Sequence, residues 1–193
     1  LGLNRAYQGS KRQPGSTFKI LAAYAPALDS CDKTLATTID DEPYTLKSGQ
    51  VLRNADKQYR GSTTIRQAIT NSINVVAVKL SDEITQELGY EYCQKFGIST
   101  LVKNKTINGQ VFDDSKSQTL ALGGITEGVY NYEMCAAYAA IANGGVYNKP
   151  TLYSKVVDHD GNVLLEGNGD SHTVIKDSTA YLLSLIHISE PTR

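Results

Sequence analysis

Pro14-Gly15-Ser16-Thr17-Phe18-Lys19-Ile20-Leu21-Ala22-Ala23-Tyr24-Ala25 is the stretch on which the fold turns. Phe18, Leu21, Ala22 and Ala25 fall at helical spacing, and residues 17–28 are apolar almost all round, the pattern of a helix enclosed by its own protein. Pro26 is expected to end or kink that helix. Pro14 and Gly15 put Ser16 at its N-terminus, where free backbone amides and the positive end of the dipole favour developing negative charge. Residues three apart on a helix lie about 5–6 Å apart at Cβ, so Lys19 is expected to reach the Ser16 hydroxyl. A serine becomes a nucleophile only with a base beside it. A lysine serves as that base when its surroundings keep it neutral, as the apolar Phe18-Ile20-Leu21 setting can.

S-x-x-K alone is a weak signal, because Ser30-Cys31-Asp32-Lys33 also matches it. That second match follows the helix in polar sequence with an Asp inside it, and reads as a surface turn. For Ser16 the plainer alternative is a helix cap, since Ser is a favoured N-cap.

Further along the chain, residues 29–62 are polar and loop-like, with Asp40-Asp41-Glu42-Pro43 and Lys47-Ser48-Gly49 as breakers. Thr64-Ile65-Arg66-Gln67 is a capping-box pattern that opens a helix to about Asn71. A third helix is expected over 75–88, with Val76, Leu80, Ile84 and Leu88 in one row and Gly89 at its C-terminal cap. Between these helices stands Ser72-Ile73-Asn74. Its hydroxyl and amide, two residues apart in a tight joint, can point into one cleft; equally, Ser72 or Asn74 can cap the helix that follows.

A short helix over 90–96 should stop at Gly97, with residues 98–118 irregular. Asn131 is expected to cap a helix through Asn143, with Met134, Ala137, Tyr138 and Ile141 on one face before Gly144-Gly145. Residues 151–158 and 163–165 read as a hairpin about His159-Asp160-Gly161-Asn162, and 176–184 as the start of another helix. Cys31, Cys93 and Cys135 lack the close spacing of a zinc knuckle or redox pair, and Cys93 and Cys135 are expected to be buried as small hydrophobes.

Taken together, Asn4-Arg5-Ala6, Arg12-Gln13-Pro14-Gly15-Ser16-Thr17-Phe18-Lys19, Gly61-Ser62-Thr63-Thr64-Ile65-Arg66-Gln67-Ala68 running into Ser72-Ile73-Asn74, Leu120-Ala121-Leu122-Gly123-Gly124, Ala136-Ala137-Tyr138-Ala139 and Ala142-Asn143-Gly144-Gly145-Val146-Tyr147 resemble the transpeptidase domain of class A (bifunctional) penicillin-binding proteins. The likeness covers about residues 4–184. It implies an α/β (α+β) fold of the serine β-lactamase and penicillin-binding-protein type. It implies that Ser16 is the nucleophile forming an acyl-enzyme with the penultimate D-Ala of a peptidoglycan stem peptide, and that Lys19 is its base. Ser72 would help carry the proton to the leaving D-Ala, and Asn74 would bond the substrate or the Lys19 amine. β-Lactams would acylate the same serine. No cofactor or metal is implied, and the parent would act at the extracytoplasmic face of the bacterial cell membrane through an anchor outside this chain.

The third family motif, K-[ST]-G on an edge strand of the central sheet, should follow residue 184 and is not there; Lys47-Ser48-Gly49 has the letters but lies between the first two motifs and reads as a turn. Without that strand the resemblance implies a helix-rich fragment that lacks part of the central sheet, is poorly soluble and labels weakly or not at all with a fluorescent penicillin. The only methionine is Met134, so the chain is expected to be cut from a longer one, with 1–184 a partial domain. Residues 185–193 resemble a translated sequencing adapter and are expected to be non-native, which sets His187 aside; His159 and His172 stand in loops without a partner motif. Two other functions share the S-x-x-K start: a serine β-lactamase, disfavoured because no glutamate stands in a deacylating motif, and a penicillin sensor that acylates without turnover.

Composition bounds the rest. The 193 residues carry 19 Lys+Arg against 20 Asp+Glu, a net charge of −1, which gives no general attraction to nucleic acid or anionic lipid. No apolar run approaches the roughly 20 residues of a membrane span.

Overall fold

From Gly15 to Ser30 the backbone is one helical rod of changing pitch: 3-10 over Gly15–Thr17, π over Ile20–Tyr24, and α over α1 (Ala25–Ser30). The sequence explains the change. Pro26 has no N–H, and in an unbroken α-helix its ring would meet the carbonyl four residues back. The preceding π turn, closed by Ala25 N–H donating to Ile20 O, widens the rod and admits Pro26 in the first turn of α1. Pro26 therefore does not end the helix. Phe18, Leu21, Ala22, Ala23 and Ala25 are fully buried, and the core is assembled around them.

The computed structural model describes residues 10–167 and 169–189. After the rod come β1 (Thr38–Asp41), β2 (Tyr44–Thr45), β3 (Val51–Leu52) and β4 (Gly61–Thr64), then α2 (Ile65–Thr70), α3 (Asn74–Ile84) and α4 (Gln86–Lys95). The segment expected to be plain loop thus holds four short strands: β1 pairs antiparallel with β4, and β2 with β3. Lys47-Ser48-Gly49 forms the turn between β2 and β3, with Leu46 N–H bonded to Gln50 O and Gly49 at φ +86°. The capping box at Thr64 is complete: Gln67 N–H donates to Thr64 Oγ1 at 3.2 Å and Thr64 N–H to Gln67 Oε1 at 3.1 Å.

The two helices expected over 75–88 and 90–96 are present as α3 and α4, but the break between them falls at residue 85 and not at Gly89. Thr85, at φ +78°, breaks the chain between α3 and α4 and caps the second through its hydroxyl on Leu88 N–H. Gly89 is consequently inside α4, not at a C-terminus, and its missing side chain has another purpose: a Cβ there would overlap the Ala22 carbonyl of the rod. β5 (Lys105–Ile107) and β6 (Gln110–Phe112) form a hairpin about Asn108-Gly109, both at positive φ, in the stretch expected to be irregular.

α5 (Asn131–Ala142) is followed by β7 (Val146–Asn148), β8 (Lys155–Val157), β9 (Val163–Glu166), β10 (Ser171–Thr173) and α6 (Asp177–Ser189). Asn131 is the first helical residue of α5; the cap position is Tyr130 and makes no side-chain bond. The buried face of α5 is Glu133, Ala136, Ala137, Ala140 and Ile141, while Met134 and Tyr138 are half-buried. Cys93 is fully buried as expected, but Cys135 is exposed, because the face it shares looks away from the core. β8 and β9 make the expected hairpin, and β7 pairs with β10. His172 is therefore in a strand, its Nε2 bonded to Lys95 O and its ring against Tyr147; exposed His159 pairs with Asp160. Among the described residues every strand pairs with one partner, so no multi-stranded sheet forms. None of the described helices is long and apolar enough to cross a membrane. The expected non-native tail is part of α6 through Ser189 in its backbone, and residues 190–193 lie outside the described residues, as does Asn4-Arg5-Ala6.

Candidate active site

The approach to Ser16 is fixed on three sides before the helix begins. Arg12 exchanges both backbone hydrogen bonds with Val129, at 3.0 and 2.8 Å. The Gln13 side chain imitates a peptide unit against Ile125, its Nε2 donating to Ile125 O at 2.6 Å and its Oε1 accepting from Ile125 N–H at 3.0 Å. Gly123, at φ +75°, lies so close to Gly15 that a Cβ would overlap Gly15's oxygen, nitrogen and Cα. Only glycine combines that conformation with that approach. Ser16 sits at the top of this turn, exposed to solvent. One residue on, Thr17 Oγ1 donates to Pro14 O at 2.7 Å, and Thr17 O accepts from Tyr138 OH at 2.7 Å.

The Lys19 side chain reaches into the joint between α2 and α3. Its Nζ donates to Ser72 O at 2.6 Å, Ser72 Oγ at 3.0 Å and Asn74 Oδ1 at 2.7 Å. The residue is 2% exposed, and burial lowers its pKa from 10.5 to about 8. An ammonium group has three protons, and three acceptors use them all. This is why the bond expected between Lys19 and Ser16 is not made: among the described residues the Ser16 hydroxyl has no hydrogen-bond partner. When Lys19 loses its proton, one acceptor is released and a lone pair becomes available, so that at this joint the amine can accept a proton near neutral pH.

Ser72 reaches Lys19 through both its carbonyl and its hydroxyl because its backbone is left-handed, at φ +52°. A non-glycine residue held there is strained, and such strain persists only where neighbours impose it. Ile73 beneath it is 1% exposed and is the anchor. Asn74 is the first residue of α3, and its Nδ2 donates to Arg53 O at 2.9 Å, which turns Oδ1 toward Lys19.

Lys19, Ser72 and Asn74 are thus in direct contact, with Ser16 one helical turn before Lys19. The second S-x-x-K match is not so arranged: Ser30 Oγ donates to Pro26 O at 3.0 Å, and Lys33 pairs with Glu83. Sequence reasoning missed Arg53 and Asn54, which brace Asn74 from the connection between β3 and β4. No local pattern marks them. Among the described residues no group of three or more His, Cys, Asp or Glu side chains is placed to hold a metal ion.

Residues 3–184 match the model of the penicillin binding protein transpeptidase domain. Penicillin-binding protein 1A of Clostridium acetobutylicum is 37% identical over 181 residues, covering 89% of this chain and 21% of that protein. Penicillin-binding protein 1A/1B of Bacillus subtilis is 28% identical over 185 residues, covering 95% of this chain and 19% of that protein. The chain therefore spans about a fifth of the length of these curated relatives. Among solved structures, penicillin-binding protein 1A from Haemophilus influenzae superposes with a TM-score of 0.68 at 30% identity, over 88% of this chain and 24% of that one. Penicillin-binding protein A from M. tuberculosis, solved as an imipenem acyl-enzyme complex, shares the fold with a TM-score of 0.78 at 20% identity, over 95% of this chain and 44% of that one.

Proposed function

The chain belongs to the penicillin-binding protein transpeptidase domain family, and from that premise we propose that it carries the acylation half of a peptidoglycan D,D-transpeptidase site. The observation that supports this most is the buried Lys19 amine, held by Ser72 and Asn74 one turn after an exposed serine at a helix N-terminus. In the proposed reaction Ser16 Oγ attacks the carbonyl of the penultimate D-Ala of a stem peptide. Its proton passes to neutral Lys19. The tetrahedral oxyanion forms at the N-terminus of the rod, where the Ser16 amide is free to donate. Ser72 Oγ, in contact with Lys19, relays the proton to the departing D-Ala nitrogen, leaving the acyl chain on Ser16. An amine of a second stem peptide then takes the acyl group. β-Lactams enter the same first step, and the ring opening keeps their leaving nitrogen attached.

The oxyanion hole needs a second donor, and the substrate carboxylate needs a cation and a hydroxyl, which the resemblance assigns to K-[ST]-G. Lys47-Ser48-Gly49 is a hairpin turn and does not supply them. Losing one oxyanion donor costs about 10²–10³ in rate. Residues 1–193 alone are therefore proposed to acylate weakly or not at all. The family match stops at Ser184, and residues 185–193 are proposed to be a non-native tail. Action at the extracytoplasmic face of a bacterial membrane, through an anchor elsewhere in a parent protein, belongs to the same proposal.

The test joins residues 1–184 to a C-terminal portion that supplies K-[ST]-G, treats the folded protein with penicillin and locates the adduct by mass spectrometry. An adduct on Ser16 is expected; a folded protein without one overturns the reading. Cross-linking of a D-Ala-D-Ala stem peptide to an amine acceptor then separates a transpeptidase from a sensor that acylates and stops.

A further inference from the structure

We infer that Asn54, held by the buried carboxylate of Asp41, is a positioning residue that sets Asn74 against Lys19. The inference rests on the transpeptidase reading and deepens it.

The Asp41 side chain, at the end of β1, has no exposed surface, yet its nearest cationic atom, Arg60 Nη1, is 3.9 Å away. A buried carboxylate must be satisfied by donors, and here they are amides. Asn54 Nδ2 donates to both carboxylate oxygens, at 2.8 and 3.0 Å, and Arg60 N–H adds a third bond at 3.1 Å. Asn54 Nδ2 also donates to Gln58 O at 2.8 Å. These acceptors fix the orientation of the carboxamide: its nitrogen faces Asp41 and its oxygen faces the start of α3.

That oxygen accepts from Asn74 N–H at 3.0 Å and Val75 N–H at 3.2 Å. These are the first two amides of α3, and Ile73, the residue at the cap position, has no side chain able to bond them. Asn54 therefore caps α3 from twenty residues upstream. The adjacent Arg53 carbonyl holds the other end of the same residue by accepting from Asn74 Nδ2. Main chain and carboxamide of Asn74 are both fixed by one dipeptide, and the atom left facing inward is Oδ1, 2.7 Å from Lys19 Nζ. Asp41 polarises the Asn54 amide and strengthens its oxygen as an acceptor. No hydrogen bond joins Asp41 or Asn54 to Lys19 or Ser16, so the polar linkage from both runs through Asn74.

The test is a double-mutant cycle read on Lys19, whose titration is followed by NMR in protein with isotope-labelled lysine. Asn74→Ala removes one of three acceptors from the ammonium group and is expected to lower the Lys19 midpoint by about one pH unit. Asn54→Ala is expected to move the midpoint in the same direction by a similar amount, and the double variant no further than either single one. Asp41→Asn, which keeps the shape, is expected to give a smaller shift of the same sign, and it decides alone if Asn54→Ala does not fold. A Lys19 midpoint unmoved by Asn54→Ala and by Asp41→Asn overturns the inference. So does a double variant whose shift is the sum of the singles, or an Asn74→Ala variant that leaves Lys19 unchanged. A merely structural role for Asn54 would lower the unfolding midpoint and leave the titration in place. The titration needs no acylation, so this inference and the acyl-transfer reading can fail separately.

Discussion

Lys19 Nζ and Asn74 Oδ1 meet at 2.7 Å across 55 residues of sequence, and the lysine has little access to bulk water, being 2% exposed. The consequence is thermodynamic as well as chemical. Lys19 titrates near 8 in the folded chain, against 10.5 ordinarily, because burial penalises its charged form. Between those values the folded state binds fewer protons than the unfolded state, so stability rises with pH across the window; below it this contribution is flat. Replacing Lys19 with Met should remove the rise. Urea unfolding at about pH 7 and about pH 10 checks it: the wild type should gain stability relative to Lys19→Met, and parallel behaviour would show that Lys19 is not depressed.

Thr64 is the point at which a local motif carries a distant site. Its capping box fixes the start of α2, and seven residues after α2 begins the chain makes its left-handed step at Ser72. Thr64→Ala should cost about 1 kcal/mol, the usual value of an N-cap hydroxyl, whereas Thr64→Ser should cost little. Denaturant titration of the two variants decides it: equal losses would mean that the hydroxyl bond to Gln67 is not what stabilises the turn.

Much of the candidate site was legible because its parts are marked by local chemistry. Pro14 and Gly15 announce a helix start, Thr64 and Gln67 announce another, and Ser72-Ile73-Asn74 falls in the joint between helices. What was not legible depends on tertiary context. Thr85 breaks α3 from α4 with neither glycine nor proline to signal it, and apolar spacing runs through the break. Asn54 braces α3 from a connection whose sequence reads only as polar loop. The pairing of β1 with β4 is set between segments about twenty residues apart, beyond any local period. The Asn108-Gly109 hairpin is the exception, since that dipeptide is itself a local turn signal, although it stands in a polar stretch.

The cysteines offer a chemical reading of the same packing. Alanines stand on several faces of α5, so its sequence does not say which side is buried, and Cys135 proves to line an open cavity of about 790 Å³ with Met134 and Tyr138. Cys93 is fully buried, and burial raises its thiol pKa well above 9.0. An aromatic disulfide reagent should therefore modify Cys135 rapidly, Cys31 more slowly and Cys93 only on unfolding. Peptide mapping after brief exposure reads the order, and early modification of Cys93 would contradict the packing of α4.

Gly123 and Gly49 separate backbone strain from close packing. Both have positive φ, +75° and +86°, so alanine at either position meets the left-handed penalty of about 1–2 kcal/mol. They differ in surroundings. A Cβ at Gly49, in the turn between β2 and β3, meets nothing within 4 Å, whereas one at Gly123 overlaps the backbone of Gly15. Gly123→Ala should therefore cost about 1–3 kcal/mol more than Gly49→Ala, the range found when a filled interior must yield. The strain also falls on the turn that presents Ser16. In the domain completed with K-[ST]-G, Gly123→Ala should slow acylation of Ser16, while Gly49→Ala, removed from that turn, should leave it near the wild-type rate. Paired unfolding curves and acylation time courses decide the matter. Equal stability losses would show that the contact between Gly123 and Gly15 is looser than the geometry states, and equal acylation rates would show that the turn does not depend on it.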